Sequence, residues 1–242
     1  MIDLDALPTR APESTDKHET KRATKELAGP LADLQERLWA ESRQALLVVL
    51  QALDAGGKDG TIRKVFTCVN PQGVRVTSFK APTDDELARD FLWRVHGQVP
   101  KKGEIGIFNR SHYEDVLIAR VESLVPEPVW RARYRQIRDF EHLLASSGTR
   151  LLKLYLHISP EEQQERFEAR LAEKPWKYNP DDRRAQERWA DYRAAYTDAL
   201  NETSTDEAPW HVIPADQKWY RNWVVRSLVV DTLREMDPQL PR

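Results

Sequence analysis

Five consecutive apolar residues, Leu46-Leu47-Val48-Val49-Leu50, lead into Asp54-Ala55-Gly56-Gly57-Lys58-Asp59-Gly60-Thr61 and then into the amphipathic stretch Ile62-Arg63-Lys64-Val65-Phe66. An unbroken apolar run of this length reads as a strand buried on both faces, the environment of a parallel sheet covered by helices. The glycines let backbone N–H groups converge, the helix start adds positive dipole, and Lys58 adds a full charge. Strand, turn and helix together therefore read as a phosphate-binding loop. Against the pattern G-x-x-x-x-G-K-[ST], Ala52 replaces the first glycine and Asp59 replaces the metal-binding hydroxyl. That departure weakens a generic nucleoside-triphosphatase assignment. Ala55, Gly56, Gly57, Lys58, Asp59, Gly60 and Thr61 are the expected phosphate contacts, with Lys64 further along the helix. Asp54 lies inside the loop, where a carboxylate repels phosphate unless a divalent cation lies between them, so it implies magnesium.

Further β candidates are Val74 to Phe79, Glu104 to Phe108, Leu152 to Ile158 and Trp210 to Ile213. Helical spacing is expected over Thr61 to Val69, Asp84 to Val95, Tyr113 to Leu124, Pro126 to Ser146, Glu161 to Leu171, Asp182 to Leu200 and Lys218 to Met236. This alternation predicts an α/β fold in three layers, a parallel sheet of about five strands flanked by helices. Residues 1–30 mix Pro8 and Pro12 with charges and few apolar side chains, so they read as a flexible arm without chemistry. Residues 31–242 then form one domain.

Phe108-Asn109-Arg110-Ser111-His112-Tyr113-Glu114-Asp115 marks the end of the third strand. P-loop proteins place an acidic metal ligand there, and here the residue is the neutral Asn109. The cation's charge balance shifts to Asp54 and Glu114. Arg110 suits a phosphate or transition-state charge, or else a surface ion pair. Glu114 has two readings: a metal or nucleotide contact, or the last residue of a Ser-x-x-Glu capping box begun by Ser111.

Composition narrows the class further. The 37 basic and 39 acidic side chains give a net charge of −2, too balanced for coating nucleic acid by bulk charge. One cysteine, Cys68, excludes an intramolecular disulfide framework, favours a reducing compartment and reads as a buried apolar residue. No 18-residue apolar run and no apolar leader occur, so a cytoplasmic, membrane-free protein is expected. The six histidines lack short metal-ligand spacing and there is no G-x-S-x-G, which removes zinc hydrolysis and serine-nucleophile catalysis.

Taken together, the loop, Ser78-Phe79-Lys80-Ala81-Pro82-Thr83, the Asn109-Arg110 motif, Trp176-Lys177-Tyr178, Thr203-Ser204-Thr205 and Val212 to Asn222 closely resemble the polyphosphate kinase 2 family from about Leu31 to the C-terminus. The resemblance implies a P-loop kinase fold with a helical lid, Mg2+ dependence, and transfer of a terminal phosphoryl group from inorganic polyphosphate to a nucleotide. Asn109 with His112 and Glu114 resembles the subgroup that takes AMP to ADP and ADP to ATP, a chemistry open to reversal. Asp54, Lys58, Asn109, Arg110 and Glu114 are then the catalytic set, with Asp54 and Glu114 toward the metal. A homo-oligomer, dimer or tetramer, is also implied. A polyanionic donor needs cations leading away from the loop, and beyond Lys64 the candidates are Arg166, Arg170, Lys174 and Lys177, ahead of Arg183, Arg184 and Arg188. Pro175 and Pro180 would make a lid at about residues 172–184. On the acceptor side, Lys80 and Arg94 join Glu114 as candidate nucleotide contacts. Arg131, Arg135 and Arg138 read as a solvated or subunit-facing stripe. Two other readings compete: an NTP-dependent P-loop kinase, and a non-catalytic protein that binds polyphosphate or nucleotide.

Overall fold

The first strand, β1 (Ala45–Ala52), is buried at every position in the computed structural model, which describes residues 1–173 and 186–241. Successive side chains of a strand face opposite ways, so both faces must be covered. Leu46, Val48 and Leu50 join one core with Leu31, Val65, Val225 and Val229, whereas Leu47 and Val49 join another with Tyr113, Ile137, Phe140 and Tyr196. Two apolar layers sandwich the sheet, as expected.

Four more strands pair in parallel: β2 (Val74–Ser78), β3 (Ile105–Asn109), β4 (Thr149–His157) and β5 (Trp210–Pro214), in the order β2-β3-β1-β4-β5. The register sets Leu50 and Ser78 level with Asn109, and Ala52 level with Leu156. The carboxyl ends therefore share one edge, where ligands bind in sheets of this kind. The helices are α1 (Lys17–Glu26), α2 (Ala28–Glu41), α3 (Lys58–Val65), α4 (Asp84–Leu87), α5 (Trp93–His96), α6 (Ile118–Val121), α7 (Glu127–Ser146), α8 (Pro160–Glu173), α9 (Trp189–Thr203) and α10 (Lys218–Met236). Among the described residues no helix is long and apolar enough to cross a membrane.

Several expectations are corrected. The arm over residues 1–30 is docked structure. Leu4 is buried in the core, and Asp16 caps α1 by accepting from the Glu19 amide at 2.7 Å. The α1 carbonyl of Thr24 accepts from Arg226 of α10 at 2.7 Å. The same guanidinium bonds the Lys64 and Val65 carbonyls at 2.6 and 2.8 Å, so α3 ends there, short of the expected Val69. The helix expected over Asp84 to Val95 is two short helices separated by a turn in which Asp90 accepts from Leu92. The helix expected from Tyr113 begins instead as a 3₁₀ turn, His112–Asp115. Cys68 is half-buried, packed at the margin of a core.

Candidate active site

The loop after β1 is tight enough to demand its glycines. A Cβ on Gly56 would lie 2.5 Å from the Ala52 Cβ. Gly57 has φ +97°, a conformation that favours glycine, and a Cβ there would collide with the Arg221 guanidinium. Lys58 opens α3, and its Nζ donates to the Ala52 carbonyl at 2.8 Å. Burial pushes the Lys58 ammonium down, Arg110 adds to this, and Asp54, Glu114 and Asp59 oppose it. Thr61 is buried and its hydroxyl donates to the Gly57 carbonyl at 3.0 Å, so it closes the loop from behind.

Arg110 sits beyond β3 with φ 61° and gathers the acidic residues. Its Nη2 lies 2.6 Å from Asp54 Oδ1, and its Nη1 lies 3.9 Å from Glu114 Oε2. Burial works against the guanidinium charge, but Glu114 and Asp54 outweigh it and hold Arg110 above its ordinary value. Asn109 donates to Asp59 at 2.8 Å and to Ser78 at 3.3 Å, tying the starts and ends of three elements together. Gln163 of α8 fixes the Asp54 carbonyl at 2.8 Å.

The capping box expected between Ser111 and Glu114 does not form. Ser111 accepts from the Tyr113 amide at 3.2 Å, while the Glu114 carboxylate meets Arg110 and, with the Gln51 amide oriented to satisfy its neighbours, accepts from Gln51 at 3.1 Å. The reciprocal capping box forms elsewhere, between Thr83 and Glu86. Burial pushes the Glu114 carboxyl up, against Arg110 and Lys58. Asp54, Arg110, Glu114, Tyr192 and Tyr196 line one cleft.

Of the cations behind the loop, sequence reasoning named Arg166 as a donor-side candidate and missed the role of Arg221. Arg221 of α10 is buried, and its side chain bonds the neutral Asn222 amide oxygen at 2.9 Å. Burial and the adjacent Arg166 push it down to about 10. Arg166 of α8 donates to the Ala55 carbonyl at 3.1 Å and pairs with Glu162 at 2.7 Å. Among the described residues, the two guanidinium groups beside Gly57 are offset by the carboxylate of Glu162, which leaves positive charge against the loop and suits a phosphate anion. Arg221 stands within a motif read from the sequence, but spacing alone places no residue of α10 against a loop 160 positions earlier.

The remaining expected contacts are more dispersed. Lys64 is exposed on α3. Arg170 lies on α8 with its guanidinium 5.4 Å from the centre of the Phe167 ring. Lys177, Arg183 and nearly all of the expected lid lie outside the described residues. Lys80 is exposed after β2, and its carbonyl accepts from Arg94 at 2.9 Å. Arg94 also pairs with Glu86 at 3.6 Å. Arg131, Arg135 and Arg138 pair with Glu127, Asp139 and Glu202, as a solvated stripe would.

Residues 14–241 match the family model described as polyphosphate kinase 2, so the match begins ahead of Leu31. A protein of Meiothermus ruber named AMP/ADP-polyphosphate phosphotransferase is 58% identical over 214 residues, 88% of this chain and 80% of that one. The ADP-polyphosphate phosphotransferase of Rhodopseudomonas palustris is 41% identical over 99% of this chain and 88% of its own length. The crystal structure of polyphosphate kinase 2 from Arthrobacter aurescens TC1 has a TM-score of 0.96 at 40% identity, covering 100% of this chain and 88% of that chain. With its phosphate loop at the sheet edge and Lys58 and Arg110 beside it, this chain belongs to the polyphosphate kinase 2 family.

Proposed function

We propose that the protein transfers the terminal phosphoryl group of inorganic polyphosphate to AMP and to ADP, forming ADP and ATP. The observation that carries this reading is a phosphate loop flanked by two cation clusters, Lys58 with Arg110 and Arg166 with Arg221. Such a loop suits a donor carrying several charges, and the names of the relatives specify that donor and these acceptors. Phosphoryl transfer depends on positioning and charge neutralisation more than on covalent participation. Lys58 neutralises the transferring group, and Arg110, oriented by Asp54 and Glu114, stabilises charge that develops in transfer. Asn109 holds Asp59 at the start of α3. Arg170, Lys177 and Arg183 complete the donor side of the reading; Lys80 and Arg94 complete the acceptor side.

The donor set fits Mg2+. Asp54 and Glu114 are two carboxylates gathered on one guanidinium beside the loop, and no group of three or more metal-ligating side chains occurs among the described residues. Magnesium is commonly held by one or two carboxylates together with substrate phosphates, leaving the rest of its shell to water. When bound it neutralises phosphate charge and orients the oxygens. The donor decides against the rival NTP-dependent kinase: AMP should become ADP with polyphosphate and Mg2+, and remain unchanged when GTP replaces polyphosphate. Equal or faster phosphorylation by GTP would reverse the assignment.

Glu114→Gln separates charge from shape. Because burial raises Glu114, the folded protein binds its proton more tightly than the unfolded chain, and the ionised form costs stability as pH rises through that raised value. The neutral isostere should therefore keep or slightly raise Tm at pH 7. Turnover, or the preference between AMP and ADP, should change on the order of tenfold, as expected for a group acting near the reacting atoms. Steady-state kinetics with each acceptor across a magnesium titration would check this.

A further inference from the structure

Residues 1–13 precede the span matched by the family model, yet they lie against the active edge through a chain of specific bonds. The Ile2 amide donates to Asn201 Oδ1 at 2.6 Å, and Asn201 returns a bond to the Ile2 carbonyl at 2.8 Å. Leu4 is 1% exposed in the same core as Tyr155 and Tyr196. Asp5 pairs with Arg193 of α9 at 2.5 Å. Further on, Thr9 grips Asp216 twice, its hydroxyl bonding Oδ2 at 2.8 Å and its carbonyl accepting the Asp216 amide at 3.0 Å. The Ala11 amide donates to the side chain of Gln217 at 2.7 Å.

Asp216 is a junction in the turn between β5 and α10. It is 5% exposed, and its second oxygen accepts the Ser159 amide ahead of α8 at 2.9 Å. Its carbonyl and that of Ala215 accept from Arg166 Nη2 at 3.1 and 2.5 Å. The other arm of that guanidinium holds the Ala55 carbonyl in the phosphate loop, and Arg221 follows Asp216 by little more than one helical turn. Thr9, Asp216, Arg166 and Ala55 thus form an unbroken path from the N-terminal segment to the loop.

We infer that residues 1–13 are a strap that positions Arg166 and Arg221 for the polyphosphate donor, with Thr9 and Asp216 as positioning residues. This rests on the donor assignment above. Repulsion between two adjacent guanidinium groups favours their moving apart, and the carbonyls of Ala215 and Asp216 fix one of them only while their own turn is fixed. The strap clamps that turn from its outer side. Losing it should loosen donor binding while leaving the acceptor side, built on other elements, in place.

The test compares the full chain with a chain lacking residues 2–13, with Thr9→Val, and with Thr9→Ser. Without the strap, KM for polyphosphate should rise on the order of tenfold and KM for AMP should stay within about twofold, since misplacing a positioning group acts on the contacts it sets. Thr9→Val should shift the same constant in the same direction by less, and Thr9→Ser, which keeps the hydroxyl, should restore it. Calorimetric titration with a short polyphosphate of uniform length, without nucleotide, should show the same weakening. If the shortened chain does not fold, the two Thr9 variants decide. Unchanged polyphosphate binding and KM, or a fall in kcat alone with a lower Tm, would overturn the strap as a positioning element. A full-length protein that binds polyphosphate but transfers nothing from it to AMP would overturn the donor reading instead, and the titration would still report on the strap.

Discussion

Lys58→Met should lower kcat at least about a hundredfold, the scale for removing a positioned charge-stabilising donor, while Tm moves by no more than a few degrees. The stability half of this expectation comes from the site itself. Burial already pushes the Lys58 ammonium down, so its charge costs stability, and methionine keeps most of the stem volume. The Ala52 carbonyl that loses Lys58 still accepts from the Tyr196 hydroxyl at 3.0 Å. Kinetics and thermal melting on the same preparation check both halves. Near-normal turnover would remove the loop lysine from the mechanism, and a collapsed Tm would show that its work is structural.

Lys153→Met should be the most destabilising single change in the core. Lys153 lies within β4 and is fully buried, with Nζ 2.7 Å from Glu141, 2.7 Å from the Thr203 carbonyl and 3.2 Å from the Tyr113 hydroxyl. Glu141 also accepts from Tyr113 at 2.7 Å and faces His112 at 3.3 Å, so the network anchors the 3₁₀ turn that carries Glu114. Removing one partner strands a buried carboxylate, at a cost of about 3–5 kcal/mol. For a chain of this size that lowers Tm on the order of 10 °C.

The pH dependence has a definite sign. Burial alone would raise Glu141, but His112 and Lys153 outweigh it and hold the carboxyl below its ordinary value. Its stabilisation is thus present above the unfolded-state value and lost as pH falls through the lower folded one. Without Lys153 the burial effect gains ground, the folded state takes up a proton, and the deficit should shrink from pH 8 to pH 5. Lys153→Met with Glu141→Leu should recover much of the loss, because the pair then leaves no stranded charge. Thermal melts of the single and double variants at both pH values check this; a deficit independent of pH would contradict it.

The parts legible in the sequence are those whose cause is local. The run Leu46 to Leu50 had to be covered on both faces, the glycine turn had to follow it, and α10 runs from Lys218 to Met236 as its apolar spacing predicts. Asp54, Lys58, Arg110 and Glu114 meet because the segments that follow β1 and β3 leave the same sheet edge. What escaped depends on pairing between distant segments. Residues 1–30 carry few apolar side chains, and their docking comes from single contacts such as Leu4 in the core and Thr9 on Asp216. Arg221 and Arg226 look alike in composition, yet one backs Gly57 and the other ends α3. Lys153 sits in a strand whose apolar neighbours disguise the charge, and its partner Glu141 belongs to a helix otherwise read as an ordinary amphipathic face.

The most direct measurement follows phosphorus in one tube. With the purified full-length protein, AMP as the sole nucleotide, Mg2+ and polyphosphate, 31P NMR should show polyphosphate signal falling as the β-phosphate of ADP appears, followed by the γ-phosphate of ATP. Lys58→Met under the same conditions should leave the spectra nearly unchanged over the same period. Polyphosphate consumed to inorganic phosphate with AMP intact, or transfer that persists undiminished in Lys58→Met, would contradict the account.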